Sequence, residues 1–434
     1  MRAYLVTLLI VSTFPVILLK PHVGVLVYSW FSYMNPHRLA YGFVDRIPFA
    51  MIIGSLTVGA WLISREPKKI PLTPLSLLML LFVVWISVTT LFAIVPDYAA
   101  FKWDRVMKIM LITFLTMIII DSRERLLALA WVIVVSIGFY GVKGGAFVIL
   151  TGGNSRVWGP RNSFIEDNNA LALALVMTLP LMRFLQIQTK NRILRIGVAG
   201  AMTLCVLSVL GSYSRGAALA AAAMLGMLWL RSRRRLALGI TLVVAVGAGL
   251  ALMPQSYYDR LSTLGEVSAD GSAMSRLDTW MFTYDFALSR PIIGGGFGVF
   301  NSEAIREEFA PGTGLFNAHS IWFEILGEHG FVGLAMFVLI GTVAFFTCGR
   351  VRRNARGKPD QTFVFDLASS VQVSLVGFAV GGSFLNQAFY DLFWQILAIA
   401  VSLSIVAKKE LAVKPETKHT TMSSPPDQAI AKPV

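Results

Sequence analysis

Long apolar runs, separated by short polar stretches, make up most of the chain. A helix that crosses a membrane needs about 20 mostly apolar residues, because each residue adds only roughly 1.5 Å along the axis. The runs predict an all-α, polytopic integral membrane protein with about twelve transmembrane helices and one long periplasmic loop. Pro15 and the step from Lys20 to Pro21 interrupt the first run, which leaves the side of the N-terminus open. The chain is predicted to have twelve or thirteen such segments, depending on the first pair, and they cover residues 3–19, 22–34, 47–63, 73–94, 106–120, 126–150, 168–187, 193–211, 214–230, 236–253, 319–346, 363–381 and 384–406.

The polar stretches divide the chain into four parts. Residues 1–253 are predicted to form an N-terminal multi-span region, and residues 319–409 a C-terminal group of membrane helices. Between them, residues 254–318 contain no lysine, four arginines and eight acidic residues, so we expect this long loop on the periplasmic side. The Pro- and Ser-rich residues 410–434 are predicted to be a disordered cytoplasmic tail.

Composition and charge agree with this assignment. The chain is 56% hydrophobic and only 14% charged, yet its formal net charge is +14. Basic residues of membrane proteins collect in cytoplasmic connections, so nucleic acid is not needed to explain the positive charge. Cys205 and Cys348 both lie in or beside apolar runs and predict neither a disulfide framework nor a metal site. The basic clusters, which alternate with poorly basic connections, lie at 65–69, 123–125, 190–195, 231–235, 350–358 and 408–409.

An ionisable side chain stands where the apolar segment after the long loop begins. His319 is followed at helical spacing by Trp322, Phe323, Leu326 and Gly330, which would share its face of a helix that starts at His319. A neutral imidazole can accept a proton from a hydroxyl group near neutral pH, which makes His319 a candidate general base. An interfacial histidine beside a belt of aromatic side chains explains the same position without any chemistry.

Two arginines are predicted at the same depth as His319. Arg215 begins a predicted helix, and Arg276 lies in the long loop. A guanidinium group offers a planar set of donors that fits phosphate oxygens, so both residues are candidates for binding a pyrophosphate. Loop salt bridges, for instance with Asp278 or Asp285, explain Arg276 equally well, whereas Arg215 has no acidic neighbour in the sequence.

Further candidates lie in connections on the same predicted side. Residues 151–169 contain Arg156, Arg161 and Asn169, and the last predicted span contains Tyr390 and Asp391.

The glycine-rich residues 291–300 lack the lysine of a phosphate-binding loop, and we expect them to form a tight loop near the membrane. The chain has no paired-carboxylate motif for a nucleotide-sugar metal and no ATP signature, so we expect neither a metal nor a cofactor.

Together these motifs resemble the O-antigen ligase and O-antigen polymerase superfamily, and more closely the branch of exosortase-associated O-glycosylation ligases. The C-terminal half carries Ser-Arg-Gly at 214–216, Arg276 followed by Trp280, and His-x-x-Trp-x-x-x-Leu-x-x-x-Gly at 319–330, in which the tryptophan is Trp322. The motifs that resemble the narrower branch are SYMNPHRL at 32–39, SIGFYGVKGG at 136–145 and FIEDNNALALAL at 164–175.

The resemblance implies a glycosyltransferase of the bacterial inner membrane whose site faces the periplasm. His319 would be the base for the acceptor hydroxyl, Arg215 and Arg276 would hold an undecaprenyl pyrophosphate donor, and Asn169 would match a family asparagine. The family often has His-Asn where this chain has His319 and Ser320. The implied acceptor is lipid A-core as first choice, with a protein acceptor or a polymerase reaction as alternatives. A flippase for lipid-linked sugar is the non-enzymatic alternative, but no inverted repeat is visible.

Overall fold

The computed structural model describes residues 1–40, 42–231, 247, 271–312 and 317–412. The predicted helix 236–253 falls outside these ranges except for residue 247, and residues 254–270 and most of the predicted tail also lie outside them. All regular elements of the described residues are helical. They are α1 Arg2–Leu19, α2 Pro21–Met34, α3 Pro36–Ala40, α4 Phe49–Ile63, α5 Pro74–Leu91, α6 Pro96–Ile119, α7 Arg123–Leu150, α8 Asn168–Gln188, α9 Arg192–Gly211, α10 Arg215–Arg231, α11 Gly271–Ser289, α12 Glu303–Phe309, α13 Ile321–Ala355, α14 Thr362–Gly382 and α15 Asp391–Ala412, with 3-10 turns at Phe43–Arg46, Val299–Asn301 and Pro359–Gln361.

Eight helices in the described part of the chain are long and apolar enough to cross a membrane. They are α1, α5, α7, α8, α9, α13, α15, and α14 together with the 3-10 turn that precedes it. The prediction of an all-α polytopic membrane protein is therefore confirmed, whereas the number of about twelve spans stays a prediction. Helices α2 and α4 are shorter, and α6 carries several charged residues in its first half.

Helix ends agree with the prediction where apolar runs have sharp polar limits, and differ elsewhere. Helix α6 starts at Pro96, ten residues before the predicted start, because its charged first turns do not look apolar in sequence. Pro15 lies inside α1 without ending it, as membrane helices often tolerate. Residues 384–390 do not belong to the last helix, since α15 starts only at Asp391.

Two opposite faces of the helix bundle can be distinguished by their contacts. At the basic face, the Arg125 guanidinium lies 2.6 Å from Glu66 Oε1, and Lys409 Nζ lies 2.9 Å from Asp121 Oδ2. The opposite face, called the site face below, holds residues 92–95, 151–167, 212–214, 290–302, 317–320 and 383–390, which connect the other ends of these helices.

The site face also contains the start of the chain. The Tyr4 ring packs 5.2 Å from the ring of Phe43, in the connection that follows α2, and Ser32 near the end of α2 donates a hydrogen bond to Asp391 at the start of α15. Helix α1 therefore runs from the site face to the basic face.

Helix α8 lies at the centre of the bundle, with most of its side chains buried against α7, α9 and α14. Helices α7 and α9 approach each other closely because α7 carries glycines at the contact. A Cβ atom added to Gly145 would lie only 2.1 Å from the carbonyl oxygen of Leu204. Small residues at such positions are typical of helix contacts in membranes, where close packing replaces the hydrophobic effect. This tight group supports the connections of the site face.

Candidate functional site

A break in helix α13 shapes the site face. Gly330 has non-helical dihedral angles (φ 69°, ψ −174°), so residues 321–329 form a short first segment that is separate from the long helix after it. The Phe331 amide donates to the carbonyl of Pro291 instead of continuing the helix, and the carbonyl of Gly327 accepts from the Gly295 amide at 2.9 Å. The glycine-rich loop thus satisfies the backbone groups that the break releases. It is the tight loop that the sequence predicted.

His319 does not begin the helix, which corrects the prediction that helix residues share its face. It has a left-handed backbone conformation (φ 44°), and Ser320 occupies the N-cap position of the helix that starts at Ile321, without a capping hydrogen bond from its side chain. Such a conformation is uncommon for a residue other than glycine and needs support from its surroundings. The indole of Trp280 supplies part of this support, since its Nε1 donates to the carbonyl of Ala318 at 2.8 Å.

Aromatic contacts link the three residues predicted for the site. Trp280 lies one turn after Arg276 on α11, stacks on Phe323 with ring centroids 5.2 Å apart, and approaches Phe384 at 6.5 Å. A Cβ atom added to Gly216, next to Arg215, would lie 3.1 Å from the Cβ of Phe384. The starts of α10 and α13 and the middle of α11 therefore meet. We call His319, Arg215 and Arg276 the His319 cluster.

Burial and neighbouring charges shift the pKa of His319. Partial burial and the positive charge of Arg276 lower the pKa of His319 below its ordinary value, and the carboxylate of Asp167 opposes this shift. The imidazole is therefore neutral at physiological pH, which is the state that can accept a proton. The electrostatic contact with Arg276 brings two of the predicted residues within interaction range.

The start of α8 is fixed by two polar residues. The Asp167 carboxylate accepts hydrogen bonds from the amides of Asn169 and Ala170, so it caps the helix. The buried Asn168 donates from Nδ2 to the carbonyl of Ser212 at 2.7 Å, in the turn that leads into Arg215. Sequence reasoning singled out Asn169, whereas the side chain of Asn168 makes this connection.

A buried ion cluster lies one helical turn below Ser320, and sequence reasoning missed it. Lys102 Nζ on α6 lies 2.9 Å from Glu324 Oε1 and 2.8 Å from Glu328 Oε1. The side chains of the two glutamates are 4% and 2% exposed, and that of Lys102 is 19% exposed. We call these three residues the Lys102 cluster. Two glutamates four residues apart in an apolar segment were the signal, because buried carboxylates need a cationic partner.

The remaining candidates also lie at the site face. The Trp322 indole donates to Ser383 Oγ at 2.8 Å and faces α14. Asp391 is buried and accepts from Ser32 on α2 and from the Leu392 amide, so none of its described contacts is with His319. Tyr390 is buried beside it, and both Arg156 and Arg161 are exposed in the connection before α8.

The fold and the site define a polytopic α-helical membrane protein with basic groups and an imidazole gathered at one face. Residues 200–338 match the family described as O-antigen ligase, and this match supports a relation of the segment to the O-antigen ligase superfamily. The match supports a membrane enzyme of the ligase or polymerase type. Residues 1–190 match a family of unknown function, DUF5935. No curated protein matches the chain. The narrower placement in the exosortase-associated branch stays a prediction.

Proposed function

We propose that this protein transfers a glycan from undecaprenyl pyrophosphate to an acceptor hydroxyl, with lipid A-core as the first-choice acceptor, at the periplasmic side of the inner membrane. The observation that carries the proposal is the electrostatic interaction between His319 and Arg276, which pairs a neutral base with a group suited to a phosphate. All three residues of the His319 cluster lie within the segment that matches the O-antigen ligase family.

In the proposed reaction, His319 accepts the proton of the acceptor hydroxyl while the hydroxyl oxygen attacks the anomeric carbon of the donor. The bond from that carbon to the pyrophosphate oxygen breaks, and its electron pair leaves with undecaprenyl pyrophosphate. The guanidinium groups of Arg215 and Arg276 stabilise the negative charge that develops on the leaving group. Attack from the face opposite the leaving group inverts the anomeric configuration. The reaction requires neither a metal ion nor a nucleotide.

An apolar cavity of about 300 Å³ favours a lipid-linked donor. It lies between α13 and α14, and its lining extends from Trp322 near the site face to Phe346 deeper in the bundle. Such a cavity suits a polyprenyl chain whose pyrophosphate remains at the face where the His319 cluster lies. A soluble nucleotide sugar would not need it.

The test is complementation of a strain that lacks this protein, with variants compared at matched membrane levels. His319→Ala and Arg215→Ala should abolish transfer, because one removes the base and the other a phosphate-binding group. Arg290→Ala is the matched control, since Arg290 also lies at the site face but donates to the Phe92 carbonyl. Normal transfer by His319→Ala would refute the proposal.

The products also identify the reaction. Lipid A-core, envelope proteins and undecaprenyl-linked glycan should be scored separately in each strain. Long polymer that accumulates on the lipid while lipid A-core remains bare supports the proposed ligase. Loss of glycan from envelope proteins instead means a protein acceptor, and single repeats left on the lipid mean a polymerase. Accumulation of donor on the cytoplasmic leaflet would mean a flippase.

A further inference from the structure

The short first segment of α13 cannot take its direction from the membrane-spanning part of the same helix. The break at Gly330 separates residues 321–329 from the residues that follow. His319 lies directly before this segment, so the position of the imidazole depends on whatever holds the segment in place. The glycine-rich loop supplies backbone hydrogen bonds only at its far end, to the carbonyls of Gly327 and Glu328.

The Lys102 cluster holds the segment from its side. Each glutamate of the cluster has a second partner on another connection. Glu324 Oε2 accepts from the Ala388 amide at 3.0 Å, and Glu328 Oε1 accepts from the Gly298 amide at 3.1 Å. Lys102 therefore joins α6, the segment, the glycine-rich loop and the 383–390 turn through charge-assisted hydrogen bonds, which are the stronger and more directional kind.

A single turn of helix connects this cluster to His319. The Glu324 amide donates to the carbonyl of Ser320 at 2.8 Å, so a displacement of Glu324 moves Ser320 with it. On the other side of His319, the Ala318 carbonyl is fixed by Trp280. The histidine thus lies between two anchored residues, which is how its uncommon backbone conformation is maintained.

We infer that Lys102 is a positioning residue that sets the geometry of His319 through Glu324 and Glu328. The inference rests on the proposed function of His319. It assigns a role to a residue outside the O-antigen ligase match, because Lys102 lies in the segment that matches DUF5935. The two matched segments of the chain are joined at this ion cluster.

Stability alone does not explain such a cluster. Apolar residues of similar volume often replace buried ion pairs without loss of stability, whereas ionic hydrogen bonds fix one arrangement among several. A general base needs that fixed arrangement, because a misplacement of about 1 Å can reduce a catalysed rate by about 100-fold. We therefore attribute the lysine between two buried glutamates to the need to fix the geometry of His319, more than to a need for stability.

The test compares Lys102→Met with Lys108→Met on the same helix. Lys108 pairs with Asp104 at an exposed position, so its loss is a matched control. With purified full-length protein and lipid-linked donor, Lys102→Met should lower kcat by about 10- to 100-fold with little change in the KM for the donor. The acid limb of the pH–rate profile should also move, because the distances from His319 to Arg276 and Asp167 change. Lys102→Arg, which keeps the charge, should recover part of the rate.

The outcomes separate the two proposals. If His319→Ala abolishes transfer and Lys102→Met keeps both the wild-type kcat and the wild-type acid limb, the positioning role is refuted and the proposed function stands. If His319→Ala transfers normally, both are refuted. If Lys102→Met does not accumulate in the membrane, the positioning role is tested with Glu324→Gln instead, because glutamine keeps the shape of the glutamate side chain. An unchanged kcat in Glu324→Gln at normal membrane levels would then overturn the inference.

Discussion

The His319 cluster and the Lys102 cluster lie at the same face but are built in opposite ways. Arg215 is exposed and His319 is half-buried, and the His319 cluster contains two arginines and no carboxylate of its own. The Lys102 cluster is nearly closed to solvent, has an excess of negative charge, and is bonded to its surroundings at every carboxylate oxygen. The guanidinium groups of the first cluster suit an anionic ligand, whereas the lysine of the second is bonded to both of its glutamates. We therefore expect the His319 cluster to bind the donor and the Lys102 cluster to hold the surrounding structure in place.

The largest expected contrast between them is in stability. Lys102→Met leaves two buried carboxylates without a cation and should lower the free energy of unfolding by about 3–5 kcal/mol. Arg215→Gln, at an exposed position, should change it by less than about 0.5 kcal/mol while it reduces transfer strongly. Thermal unfolding in detergent measures both changes. Equal losses of stability in the two variants would mean that the Lys102 cluster does not support the fold more than the His319 cluster does.

A smaller effect is expected at the turn that carries Arg215. Asn168→Ala removes the buried donor to the Ser212 carbonyl and should cost about 1–3 kcal/mol, because that carbonyl then lacks its partner. Asn169→Ala is the matched control for stability, since the backbone amide of Asn169, and not its side chain, donates to the Asp167 carboxylate in the helix cap. We expect the first variant, compared at matched membrane levels, to lose both stability and transfer. A greater loss of stability in Asn169→Ala would contradict this account.

The charges around His319 lead to opposite shifts in pH dependence. Transfer requires the neutral imidazole, so the rate falls as the pH drops through the pKa of His319, which Arg276 lowers and Asp167 raises. Arg276→Gln removes a positive charge, raises this pKa and should move the acid limb to higher pH. Asp167→Asn removes a negative charge and should move it to lower pH, while asparagine still caps α8. Rates measured at saturating donor across the acid range test both directions, and shifts of the same sign would contradict the arrangement.

The apolar pattern was sufficient to predict most of the helices, but not the polar details between them. Helices α7 to α10 were predicted with ends close to those observed, because Ser122, Asp167 and Asn191 cap sharply bounded apolar runs. The long loop was predicted without helices, yet α11 and α12 lie within residues 271–309, since their short mixed patterns give no clear apolar run.

The site shows the same limit. The alternation of basic connections was sufficient to predict that His319, Arg215 and Arg276 share a face. The Lys102 cluster was not predicted, because Lys102 and Glu324 are 222 residues apart and their pairing depends on the packing of α6 against α13. Nor did the sequence show that Gly330 interrupts α13, since a glycine within an apolar run is compatible with an unbroken helix.

The smallest effect is expected at Arg156 and Arg161, exposed residues of the site face in the connection before α8. Arg156→Gln with Arg161→Gln should leave stability within about 0.5 kcal/mol of wild type. Long-range attraction of an anionic donor should weaken, so the KM for the donor should rise at low ionic strength and return to the wild-type value at high salt, because ions screen charges beyond about 10 Å at 0.1 M. Arg192→Gln, an exposed change at the basic face, is the control and should leave the KM unaltered at every salt concentration. A rise in KM that persists at high salt would place these arginines in direct contact with the donor and extend the His319 cluster to the connection before α8.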